Sequence, residues 1–179
     1  MVKVILSGGG GDIYHVLSQI LREIDISGLM VGYITIAAET NPSFLSKVQA
    51  TFQDLEKNIV KRGASEVRQI SSDNFYDIQH CDVLVFSGGD TQYLIQQLHE
   101  KQFLELWSKN KNIILIGISA GAVALAKGGI SNREGQLEYC KGLGVVDVDI
   151  VPHSDIEKIK GYPDFVHLAD YQVVCYEIL

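Results

Sequence analysis

Gly117-Ile118-Ser119-Ala120-Gly121 has the spacing G-x-S-x-G, and it falls between an apolar run ending at Gly117 and the small-residue segment Ala122-Val-Ala-Leu-Ala. A strand that turns sharply into a helix needs glycines at those two positions, because side chains there would collide, and the turn lifts the serine hydroxyl above the sheet. The helix start adds unbonded N–H groups and the positive end of the helix dipole, which together stabilise an oxyanion. A plain strand-to-helix connection would use the same residues; the strand before and the helix after favour a nucleophile, Ser119.

A serine hydroxyl needs a neighbouring base near neutral pH. Five histidines are available. His15 and His99 fall in helical patterns, His80 precedes a strand, and His167 lies near the end of a predicted helix, where a cation suits the dipole. His153 differs, because it follows Val146-Asp-Val-Asp-Ile-Val-Pro152 and so stands just past the carboxyl end of a predicted strand. Open α/β sheets bind ligands at that edge, and Ser119 lies at the same edge one strand earlier. A third segment, Phe86-Ser87-Gly88-Gly89-Asp90-Thr91, again runs from strand through glycines into a helix. The N–H of Gly88 or Gly89, with that of Ala120, would make a two-donor oxyanion hole; a glycine turn feeding a helix capped by Asp90 explains the same residues locally. The run Ser7 to Asp12 is rich in glycine, but Ile13 breaks the G-x-G-x-x-G dinucleotide pattern. It makes a turn or shapes the floor of a cleft.

The elements that must position these residues alternate along the chain, short β-branched runs with amphipathic helical patterns, as in βαβ units around a parallel sheet. Sheet strands are predicted at Val2–Leu6, Val31–Ala37, Val67–Ile70, Val83–Phe86, Ile113–Gly117, Val146–Val151 and Val173–Glu177, mostly apolar on both faces, as strands covered on both sides must be. Helical stripes run through Ile13–Ile24, through Phe44–Ile59 after a cap at Thr40 or Asn41, and through Leu94–Leu98. Gly128–Gly144 departs from the rhythm and reads as a loop or small hairpin. With 179 residues, 46% hydrophobic, no linker and no repeat, residues 1–179 are expected to form one domain. The net charge of −7, without a basic run, excludes a nucleic-acid footprint. No apolar stretch reaches the ~20 residues of a membrane span, and no leader pattern is visible, so a cytoplasmic location is expected. Cys81, Cys140 and Cys175 have neither metal nor disulfide spacing and read as buried thiols.

FSGGDTQYLIQQL, GISAGAVALA and VDIVPH, in this order and spacing, resemble peptidase family S51, which includes dipeptidase E and cyanophycinase. The resemblance is strongest from Asp82 to Asp155. It implies an α/β, flavodoxin-like three-layer sandwich akin to class I glutamine amidotransferases, with a mostly parallel central sheet, helices on both faces and a nucleophile elbow. By resemblance Ser119 is the nucleophile, His153 the base, and Gly88, Gly89 and Ala120 the oxyanion donors. The implied reaction is acyl transfer to water through an acyl-enzyme, with no metal or organic cofactor, on small peptides such as dipeptides with an N-terminal aspartate. A homodimer stays open. Family members carry their acidic third residue in a loop after the strand that here is Val173–Glu177, and this chain stops at Leu179. Glu177, Glu134 and Asp170 are the candidates. Arg133 and Asp90 are candidate substrate contacts, a guanidinium being suited to a carboxylate.

Two rival readings remain on the sequence. One is a non-catalytic, ligand-binding member that lacks the third residue. The other is an α/β-hydrolase esterase, which fits poorly because those enzymes place the acid between serine and a late histidine.

Overall fold

The computed structural model describes residues 2–110, 112–133, 135–154 and 161–178. Its strands are β1 (Val2–Ser7), β2 (Met30–Ile34), β3 (Glu66–Ile70), β4 (Val83–Phe86), β5 (Ile114–Ile118), β6 (Ala126–Arg133), β7 (Gln136–Lys141), β8 (Val146–Pro152), β9 (Val166–Leu168) and β10 (Val173–Ile178). Its helices are α1 (Ile13–Ile20), α2 (Pro42–Lys61), α3 (Thr91–Glu100), α4 (Phe103–Ser108) and α5 (Ala120–Leu125).

Six strands form the main sheet in the order β10-β1-β5-β4-β2-β3. All neighbours are parallel except β10, which runs antiparallel to β1. Residues two apart on a strand share a face, and the burial follows that period. Val4, Leu6, Leu84, Phe86 and Leu115 join one core with α3, α4 and α5; Ile5, Val83, Val85, Ile116 and Ile118 join another with α1 and α2. Apolar residues on both faces therefore reflect two separate cores, and the α/β fold class is as expected. Asn41 caps α2, its side chain accepting from Phe44 N–H, with Pro42 in the first turn.

A second sheet, β7-β6-β8-β9, corrects the sequence reading at the Val146 strand and at His167, and takes the hairpin alternative for the glycine-rich excursion. The strand at Val146 belongs to it and not to the main sheet, since its apolar residues pack on α5 with Ala122–Ala126. The glycine-rich excursion is the antiparallel β6–β7 hairpin of this sheet. His167 stands in β9, not in a helix, and its Nε2 lies 2.8 Å from Tyr162 O. Two smaller differences occur elsewhere. β2 ends at Ile34, and Ile36–Ala38 turn as a 3-10 helix in which Ala38 N–H donates to Thr35 O. Cys175, on the edge strand β10, is exposed, whereas Cys81 and Cys140 are buried. Burial pushes the Cys81 thiol up to about 11, which keeps it protonated and unreactive. Among the described residues no helix is long and apolar enough to cross a membrane.

Candidate active site

Ser119 stands between β5 and α5 at φ 54 and ψ −108, a strained conformation for a non-glycine residue. The two flanking glycines make this turn sterically feasible. A Cβ on Gly117 would come within 2.6 Å of Gly121 O, and one on Gly121 within 2.3 Å of Phe86 O. The strand, the turn and the helix are thus closer together than any side chain at those two positions would allow. Ser119 N–H donates to Ser7 O at 3.0 Å, fixing the turn against the end of β1.

His153 follows β8 at φ 49, and its Nε2 stands 2.8 Å from Ser119 Oγ. Behind the ring, Nδ1 lies 2.5 Å from Asp170 Oδ1. Ionised carboxylate oxygens only accept hydrogen bonds, so the Nδ1 position carries the proton and Nε2 is left to accept from the serine hydroxyl. The reason these two residues meet lies in the second sheet. β8 and β9 are parallel neighbours with Pro152 opposite Leu168, so His153 and Asp170 emerge side by side just past the same edge. Because β10 is antiparallel to β1, the loop that precedes it also arrives at the carboxyl edge of the main sheet. Of the four non-glycine residues at positive φ among the described residues, three are Ser119, His153 and Tyr171, so backbone strain gathers at this site.

Glu177 is displaced from the role considered for it. It pairs in register with Lys3 near the start of β1, at the opposite end of the strands from Ser7 and Ser119, because the antiparallel direction carries the end of β10 away from the site. Glu134 and the side chain of Arg133 lie outside the described residues. Gly88 is beside the serine: a Cβ on it would be 3.6 Å from Ser119 Cβ and 3.9 Å from Oγ. Gly89 sits at φ +142, where a Cβ would come within 2.2 Å of Ala37 O. Ala120 opens α5, and N–H groups of a first turn have no partner inside their helix. Asp90 is spent on the cap of α3, its Oδ1 accepting from Tyr93 N–H at 3.0 Å.

The glycine run after β1 holds the site together. Gly8 N–H donates to Gln172 O and Tyr171 N–H to Gly9 O, tying the Asp170 loop to β1. A Cβ on Gly9, at φ +95, would approach His153 Cε1 to 2.6 Å, and one on Gly8 would approach Ala169 O to 2.3 Å. Gly9→Ala is expected to push the imidazole aside and lower kcat by about 100-fold, the scale of a 1 Å misplacement. Gly11→Ala, where a Cβ meets nothing within 4 Å, should stay near the parent rate. Steady-state rates of both variants beside a thermal melt decide this; equal losses would remove Gly9 from the seat of the ring.

Ser119 and His153 border two hollows. One, of about 630 Å³, extends under α2 past Ile13, Tyr33, Phe44 and Val48 to Lys47. Burial pushes the Tyr33 hydroxyl up to about 12, so it lines this space uncharged. The other, of about 180 Å³, leads toward Thr91, Ser131 and Asn132. The side chains of His153 and Asp170 are 43% and 52% exposed, so water has access until a ligand covers them.

The model of peptidase family S51 matches residues 4–173. A Bacillus subtilis (strain 168) protein described as an uncharacterized peptidase, YgaJ, is 26% identical over 98% of this chain and 78% of its own length. Among solved structures, a peptidase from an acI-B1 actinobacterium superposes with a TM-score of 0.71 at 19% identity, covering 99% of this chain and 84% of that one. A putative peptidase E protein from Listeria monocytogenes EGD-e superposes with a TM-score of 0.65 at 17% identity, both chains being covered in full. At those identities the structures speak for the fold.

Proposed function

From the premise that this chain belongs to peptidase family S51, and so is a peptidase-type hydrolase, we propose that it cuts short peptides by a Ser-His-Asp acyl-enzyme mechanism. The observation that carries this reading is the unbroken chain from Ser119 Oγ through His153 to Asp170, with contacts of 2.8 Å and 2.5 Å, at a strand-to-helix elbow. His153 Nε2 takes the hydroxyl proton as Oγ attacks the scissile carbonyl carbon, and Asp170 holds the ring and stabilises the imidazolium. The N–H groups of Ala120 and of the Gly88-Gly89 turn receive the oxyanion. The imidazolium returns its proton to the leaving amine; water, deprotonated by the same nitrogen, then releases the acid and restores the serine. The non-catalytic alternative was suited by a missing acid and a short C-terminus; the contact of Asp170 with His153 supports the catalytic reading.

The preferred substrate in this reading is a dipeptide with an N-terminal aspartate. Its support is Lys47, the one lysine or arginine lining the larger hollow among the described residues, exposed and set in an otherwise mostly apolar lining. Lys47→Ala should raise KM for acidic dipeptides about fivefold with kcat unchanged, in keeping with an exposed ion pair worth up to ~1 kcal/mol. Equal KM values for acidic and neutral dipeptides in both proteins would remove Lys47 from recognition. The mechanism is tested by fluorophosphonate labelling followed by peptide mapping, alongside hydrolysis of a dipeptide panel. A label on Ser119 and cleavage of Asp-containing dipeptides is the expected result, and a folded sample that neither labels nor cleaves overturns the proposal.

A further inference from the structure

Asp170 reaches His153 from a tight turn that begins at Ala169 and ends at Gln172. Gln172 N–H donates to Ala169 O at 3.1 Å, and Ala169 N–H donates to the Gln172 side chain at 3.0 Å. Tyr171 holds the third position of this turn at φ 63. Turns with a positive φ there ordinarily take glycine or asparagine, and a bulky side chain in that conformation is an outlier. Such strain persists only where the surroundings enforce it. Here the ring supplies the hold. A Cβ on Gly10 would come within 2.4 Å of Tyr171 Cε1, so the ring lies directly on the backbone of the glycine run. It also meets His15 edge to face, with centroids 4.8 Å apart and planes at 80°. His15 is a firm support, because its N–H donates to the Asp12 cap at 3.2 Å and α1 buries Val16, Leu17 and Ile20. Tyr171 lines neither hollow beside Ser119, so contact with a substrate does not account for it.

We propose that Tyr171 is a positioning residue, whose ring clamps the turn to Gly10 and α1 and so keeps Asp170 against His153. The inference rests on the reading of Ser119, His153 and Asp170 as one catalytic unit. Two backbone bonds already tie the turn to Gly8 and Gly9. Two attachments leave a segment free to rock about the line between them, and the ring adds the third. Asp170 is the adjacent residue, so rocking would carry its carboxylate away from Nδ1, and a hydrogen bond weakens steeply once distance and angle are lost.

Tyr171→Gly suits the φ of the turn and should fold, which a melting curve checks. Its kcat, measured well below the melt, should fall about 100-fold with KM within twofold, the scale of a 1 Å misplacement. Tyr171→Phe keeps the ring and should retain the parent rate. Because Tyr171 acts through the acid, Tyr171→Gly should cost nothing further in an Asp170→Asn background. Nitrogen-15 NMR of histidine-labelled protein, with the His153 signals identified by their loss in His153→Ala, gives a readout independent of turnover. The neutral ring should carry its proton on Nδ1 in the parent and move toward the Nε2–H form in Tyr171→Gly. A Tyr171→Gly rate within twofold of the parent, a loss that multiplies with that of Asp170→Asn, or an unchanged tautomer overturns the inference. A parent rate in Asp170→Asn, with the tautomer still shifting in Tyr171→Gly, defeats the catalytic role of the acid and not the clamp.

Discussion

Replacing Ser119 with alanine is expected to lower kcat on dipeptides by on the order of 10⁶-fold, the scale seen when the nucleophile of a serine protease is removed. The loss is this large because the acyl-enzyme route disappears altogether, leaving the base and oxyanion donors to act on water directly. The fold should survive: the substitution keeps a Cβ at a position whose backbone is held by Gly117, Gly121 and the bond to Ser7 O. Residues that act as a unit are not additive, so Ser119→Ala combined with His153→Ala should cost little more than Ser119→Ala alone. The check is kcat/KM for the two single variants and the double, with melting curves alongside. A Ser119→Ala protein that keeps more than a few per cent of the parent rate would end the serine mechanism.

Asp170→Asn is expected to cost about 10⁴-fold in kcat at neutral pH, with a small change in KM. An amide in this position can offer its NH2 to Nδ1, which favours the tautomer that carries the proton on Nε2, and that nitrogen can then no longer accept from the serine. Glu177→Gln, by contrast, should stay within about twofold of the parent, as exposed substitutions away from a site do. Measuring both variants on one dipeptide separates the two acids. Comparable losses would mean that the acid acting in solution is not the one behind His153 in the structure.

The two acids also mark the boundary of what the sequence discloses. Val173–Glu177 reads as a strand from its apolar residues, but direction leaves no mark on composition, and direction alone decides which end of β10 meets the serine. Parallel to β1, the strand would have brought Glu177 to the carboxyl edge; antiparallel, it brings the loop containing Asp170 there instead. The Val146 strand posed a similar ambiguity. An apolar run looks the same in a main sheet and in a small sheet folded over α5, and His153 emerges at a carboxyl edge in both cases. The serine turn was the most legible feature because its glycines and its serine lie within five consecutive residues, even though Gly121 also makes room for Phe86 O on β4. Gly8 and Gly9 were the least legible, since their neighbours, Ala169 and His153, lie more than a hundred positions away.

The order of the main sheet leaves β10 bonded to β1 alone, at one edge, while the serine elbow is built on β5 in the interior. Edge segments open at lower free energy than the strands they border. The orienting acid thus hangs on the part of the molecule first to loosen on warming, and the nucleophile on a part that loosens late. Catalytic power is then a property of the margin, fading while most of the scaffold is still ordered. Hardening the interior would raise the melting temperature and leave the upper working temperature where it was.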